Sequence, residues 1–162
     1  MNDADLLTRF PPTNPTTRLL WTAIVDVGPR QDLGTGPTGQ RFMVPILGGQ
    51  FYAGPSCDAL QGQVLSGGAD RQVLRPDGVK ELDALYEMQA SNGDVLTIRN
   101  RVIVDETREP ERYAMSVISV TAPAGDLGWL NRRLILGSLQ SARPARPAVI
   151  IRAWEADLVP QA

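Results

Sequence analysis

The chain has 162 residues, no histidine, one cysteine and a formal net charge of −2, which suffices for one domain with a core and a pocket but excludes imidazole as metal ligand or general base. His/Cys zinc sites and Ser-His-Asp or Cys-His catalysis are thereby ruled out, so acid/base work falls to Asp, Glu, Tyr, Lys or Cys. The charge balance gives no excess for neutralising phosphates, and nucleic acid is not an expected partner.

The start, Met1 to Asp5, is acidic where a secretory signal is basic, and no long apolar segment follows. A cytoplasmic protein with no membrane partner is expected. Residues 1–16 end in Pro11-Pro12-Thr13-Asn14-Pro15 and read as a flexible arm. Residues 17–162 read as one β domain. Strands are predicted at 18–27, 41–46, 60–65, 71–74, 79–90, 94–104, 113–121, 133–139 and 148–156, each rich in Val, Ile, Leu, Thr or aromatics and bounded by Gly, Pro, Asn or Asp. Helical turns are expected only at Leu6-Leu7, 55–60 and 126–131. This spacing predicts an all-β fold, a closed antiparallel β-barrel of about eight to ten strands in preference to a sandwich.

The hairpin at 79–104 can be set in register. A three-residue turn, Ser91-Asn92-Gly93, with Gly93 in the left-handed position, pairs Ala90 with Asp94. Met88 then faces Leu96, Tyr86 faces Ile98, Ala84 faces Asn100 and Leu82 faces Val102, which gives one apolar row. The other row pairs Glu87 with Thr97, Leu85 with Arg99 and Asp83 with Arg101. A two-residue loop would shift the register by one and mix the faces.

The register poses a fork. If the apolar row faces the lumen, the pocket offers Tyr86 and Asn100, a buried amide that needs partners for its hydrogen bonds. If the charged row does, it offers Asp83, Arg99 and Arg101. The sequence leaves this open.

The pairs Gly48-Gly49, Gly54-Pro55 and Gly67-Gly68 lack P-loop or dinucleotide spacing and read as strand-end turns. Arg75-Pro76-Asp77-Gly78 reads as a tight turn. Asp70 could cap a turn or stand at a pocket mouth as a base. Cys57 has no basic neighbour in sequence and reads as a small loop or core residue.

Taken together, Arg41-Phe42-Met43-Val44-Pro45-Ile46-Leu47-Gly48-Gly49, Phe51, Gly54-Pro55, Gly62, Val64-Leu65, Gly67-Gly68-Ala69-Asp70, Gln72, Arg75-Pro76-Asp77-Gly78, Leu82-Asp83, Tyr86, Gly93, Asn100-Arg101 and Trp129-Leu130-Asn131-Arg132 resemble the domain of unknown function 3237 family, also called uncharacterised protein family 0311. The resemblance spans about residues 18 to 157. It implies a calycin-like antiparallel barrel, often oligomeric, with no established activity for most members. The family pattern usually has Trp where this chain has Arg71, Arg where it has Leu85, and often Gly where it has Val102. If Arg71 and residue 85 both line the lumen, those departures refit it for a different ligand.

The leading expectation is a cofactor-independent lyase, isomerase or cyclase acting on a small aromatic or carbonyl-bearing metabolite. Asp83 or Asp70 would move a proton, Arg101 or Arg71 would stabilise an oxyanion, and Tyr86, Asn100, Trp129 and Asn131 would bind the substrate. No metal ligand set is expected. The rivals are a non-catalytic barrel holding a small apolar metabolite and a structural protein with an apolar assembly face. A homo-oligomer is expected.

Overall fold

The structure, a computed structural model, describes residues 1–159. Ten strands form one antiparallel sheet: β1 (Thr16–Val27), β2 (Gln31–Gly36), β3 (Gly39–Ala53), β4 (Gly62–Val64), β5 (Ala69–Leu74), β6 (Lys80–Ala90), β7 (Val95–Asp105), β8 (Tyr113–Thr121), β9 (Ile135–Ser141) and β10 (Ala148–Asp157). The order runs β1-β10-β9-β8-β7-β6-β4-β3-β2, β5 pairs with β3 and β6, and a β1–β3 pairing closes the ring. Because β4 and β5 share one position between β3 and β6, the closed wall has eight staves. The fold is the expected all-β closed barrel.

The central hairpin forms in the register its sequence dictates, with Asp83 opposite Arg101, Ala84 opposite Asn100 and Tyr86 opposite Ile98. Gly93 takes φ +93° in the turn, and the Ala90 amide donates to the Asp94 carbonyl at 2.9 Å. Strict alternation does the rest: Leu82, Ala84, Tyr86, Met88, Leu96, Ile98, Asn100 and Val102 are all buried. The apolar row therefore faces the lumen and the charged row faces out.

Several elements differ from expectation. Strand β2 was not anticipated, since Gln-Asp-Leu-Gly-Thr-Gly carries no apolar alternation; five of its six residues are exposed and it extends the sheet beyond the closed wall. Gly48-Gly49 is not a strand-end turn. Both residues lie within β3, where the chain passes from pairing with β5 to pairing with β1 and β4. The helical turn expected at Leu6-Leu7 does form, as part of a short helix, α1 (Asp3–Arg9), capped by Asn2, with no buried residue. The turn at 75–78 forms as expected, and the one expected at 126–131 forms as a 3₁₀ turn, η1 (Gly128–Arg132). No helix among the described residues is long and apolar enough to cross a membrane.

The two ends of the barrel differ. At one end Trp21, Phe51, Leu60, Met88 and Leu96 pack together, and Leu127, just before η1, and Leu130 within it close the stack. At the other end the wall carries smaller or polar lumen-facing residues, and the core gives way to a cavity.

Candidate functional site

The cavity occupies about 380 Å³ within the open half of the barrel, a volume suited to a small metabolite. Its wall includes Val25, Val44, Ile46, Leu82, Ala84, Val102, Leu139 and Ile151, and this apolar lining is interrupted by Asp70, Gln72, Tyr86 and Asn100. Lys80, Arg30 and Arg143 line it as well. Strand pairing explains the convergence. Asp70 on β5 sits opposite Ala84 on β6, which sits opposite Asn100 on β7. The carboxyl and the amide thus stand on strands flanking β6, with backbones about 10 Å apart at ~4.8 Å per strand. Tyr86 lies two residues farther along β6 on the same face, toward the packed end.

Gly68 makes this arrangement possible. A Cβ at that position would lie 2.5 Å from Tyr86 Cβ and 2.6 Å from the Leu85 carbonyl oxygen. Only glycine lets the chain entering β5 press this closely on β6. The Gly68 carbonyl in turn accepts from the Ile46 amide at 2.9 Å.

The polar groups of the lumen are short of partners. Asp70 Oδ2 accepts from Gln72 Nε2 at 2.8 Å. Asp70 Oδ1, the Tyr86 hydroxyl and both amide atoms of Asn100 are buried and find no hydrogen-bond partner among the described residues. Asn100 is 1% exposed. It ties down no neighbouring backbone. Burial pushes the Asp70 carboxyl above the ordinary carboxylate range, with the Gln72 hydrogen bond acting the other way. Burial, assisted by the nearby Asp70 charge, pushes the Tyr86 phenol up as well, so it stays protonated as a donor.

The remaining candidates lie elsewhere. Asp83 points outward and pairs with Arg99, not with Arg101 opposite it, through Nη2–Oδ2 at 2.9 Å and Nε–Oδ1 at 3.1 Å. That contact holds its carboxyl below the usual range. Arg71 and Arg101 flank Asp83 on a shallow outer groove. The expectation that Arg71 and Leu85 refit the lumen is corrected accordingly: Arg71 is exposed and Leu85 is 54% exposed. Of the three departures from the family pattern, Val102 alone lines the cavity.

Trp129 and Asn131 belong to η1, which packs on the closed end, away from the mouth. Asn131 holds the backbone there, accepting from the Ala122 amide at 2.8 Å and donating to the Ala122 and Gly128 carbonyls. The Arg18 guanidinium lies 5.7 Å from the centroid of the Trp129 ring. Cys57 is buried at the same end.

Sequence reading missed the cations of the cavity. Lys80 was accessible to it, since it shares the lumen-facing parity of Leu82, Ala84 and Tyr86. Arg30 and Arg143 sit in connections whose placement depends on closure of the whole barrel.

Fold and cavity define a small closed antiparallel barrel with a ligand-sized lumen. Residues 15–156 match the family described as Protein of unknown function (DUF3237), and the chain belongs to that family. A UPF0311 protein of Rhodopseudomonas palustris is 34% identical over 84 residues, 52% of either chain. A UPF0311 protein of Clostridium acetobutylicum is 38% identical over 71 residues, 42% of either chain. The matched segment thus spans about half the length of these curated relatives, or less. Among solved structures, a conserved protein of unknown function from R. palustris superposes with a TM-score of 0.78 at 28% identity, covering 90% of this chain and 100% of that one. A beta-barrel like protein from Acinetobacter baumannii gives 0.79 at 23% identity, over 91% and 99%. A protein described as an enzyme from Penicillium herquei gives 0.71 at 20% identity, over 91% and 98%. The last two establish likeness of fold.

Proposed function

We propose that the barrel binds a small aromatic or carbonyl-bearing molecule in its lumen and catalyses a cofactor-independent proton transfer of the lyase, isomerase or cyclase type. One observation carries this reading: Asp70 Oδ1, the Tyr86 hydroxyl and the Asn100 amide are buried without protein partners and belong to residues lining one cavity. Unsatisfied buried polar groups cost about 1–3 kcal/mol each, a cost that a bound polar ligand would relieve. Asp70 serves as the base, made more basic by its burial. Tyr86 and Asn100 donate to a developing oxyanion, and the apolar wall holds the ring and limits water. Asp83 and Arg101 stand outside this chemistry. That a neighbour of the same fold is described as an enzyme is consistent with catalysis in such a lumen.

The test uses 5-nitrobenzisoxazole, an apolar aromatic probe whose ring opening needs only a base. The carboxylate removes the C3 proton, the C–H electron pair forms the nitrile, the N–O bond breaks and the oxygen leaves as a phenoxide. Wild-type protein should accelerate this reaction, and Asp70→Asn should lower kcat/KM by about 10²-fold, while Asp83→Asn leaves it within about twofold of wild type. Saturable binding of the probe with no rate above that of Asp70→Asn would assign the lumen to storage or transport of a metabolite.

A further inference from the structure

We infer that the natural ligand is an organic acid, whose apolar body fills the lumen and whose oxyanion sits among Arg30, Lys80 and Arg143 at the open end. This inference rests on the lumen being a binding site, as proposed above. Lys80 is the only lysine in the chain, and it begins β6 on the lumen-facing row. Arg30 enters from the connection between β1 and β2, and Arg143 from the connection between β9 and β10. Three separate segments therefore bring cations to one cavity.

Those cations are not locked into ion pairs with the protein's own acids, although the Lys80 charge is near enough to favour the ionised form of Asp70. Most ion-paired arginines here have a carboxylate within 3.1 Å, as in Arg146 with Asp26, Arg99 with Asp83 and Arg75 with Glu81. Arg30, Lys80 and Arg143 form no ion pair among the described residues. The guanidinium of Arg30 lies over the Phe42 ring at 4.2 Å from its centroid, which holds it near the cavity without neutralising it.

Asp70 is the only acidic residue among the described residues that line the cavity, and its side-chain hydrogen-bond partner is the neutral Gln72. The site thus carries an excess of positive charge in a chain whose net charge is −2. Such a concave, apolar-walled rim focuses its field on an incoming anion. Guanidinium groups also match an oxyanion through paired N–H donors. The ligand class that satisfies both halves of the cavity is an amphipathic acid.

A matched pair of probes tests this. 2-Naphthoate and 2-naphthamide share one apolar body and differ in charge. Titration calorimetry on the intact chain should show 2-naphthoate binding about tenfold tighter or better, with the preference shrinking as salt rises. The triple variant Arg30→Gln, Lys80→Gln, Arg143→Gln should lose that preference while binding 2-naphthamide as wild type does, which also reports that it is folded. Equal affinity for the two probes in wild type would overturn the anion assignment and leave the lumen reading standing. A carboxylate preference that survives the triple substitution would overturn it too. If neither probe binds, the lumen reading fails and the assignment fails with it.

Discussion

Asp70 and Asn100 stand on either side of Ala84, three lumen-facing residues aligned across β5, β6 and β7. The methyl group between them leaves the carboxyl and the amide a shared space. A larger side chain at 84 would occupy that space from the wall inward.

Ala84→Phe should therefore abolish lumenal binding without unfolding the barrel. Overpacking a filled core costs about 1–3 kcal/mol, and here part of the new volume enters an existing cavity. The expected result is a folded protein whose affinity for 2-naphthamide falls at least about tenfold. Far-UV circular dichroism and calorimetry check the two halves of the statement, and undiminished binding would place the ligand elsewhere.

Asn100→Leu separates function from stability. The amide is buried with no protein partner, so an apolar group of similar size should stabilise the fold by about 1 kcal/mol. The same change removes a donor from the lumen and should slow the 5-nitrobenzisoxazole reaction. Urea denaturation with an unchanged slope would measure the gain. A clear loss of stability would mean that the amide is satisfied within the fold.

Legibility of the fold varied with how local the signal was. The 79–104 hairpin could be paired residue by residue, because its alternation is strict and Asn92-Gly93 pins the turn. Which row turns inward was not legible, since it depends on the closure of all eight staves around Trp21, Phe51 and Met88. Even the outward pairing was only partly readable: Asp83 lies opposite Arg101 in the backbone, yet its ion pair runs diagonally to Arg99. Diagonal neighbours lie within reach of long side chains on a twisted sheet. Strand β2 gave no signal because it buries nothing.

Glu155 makes the closed end testable independently of the cavity. Its carboxylate is 7% exposed and receives Arg18 Nη2 at 2.6 Å and Arg133 Nε at 3.0 Å. Glu155→Ala leaves both guanidiniums without that partner and should cost about 2 kcal/mol, below the roughly 3–5 of a fully buried pair because both arginines reach solvent. Glu155→Gln, which keeps hydrogen-bond acceptance without the charge, should cost less. Binding of 2-naphthoate at the far end should be unchanged in either variant, as calorimetry can verify.

The Asp70 carboxyl links stability and rate to pH with opposite signs. Burial raises its pKa in the folded protein, whereas in the unfolded chain it ionises near ~3.9. Between those two values the unfolded state binds fewer protons than the native state, so this group's contribution to stability falls as pH rises. Asp70→Asn removes the dependence. The stability of the variant relative to wild type should climb as pH rises from ~4 and level off once the native carboxyl is ionised. The base is ionised over the same interval, so kcat/KM for 5-nitrobenzisoxazole should rise with pH and reach its plateau where the stability difference levels off. Paired urea titrations of both proteins across pH, set against the pH–rate profile, measure both limbs, because other titrating groups cancel in the difference. A stability difference independent of pH would show that Asp70 ionises as it does in the unfolded chain, and the rate plateau would then report a different base.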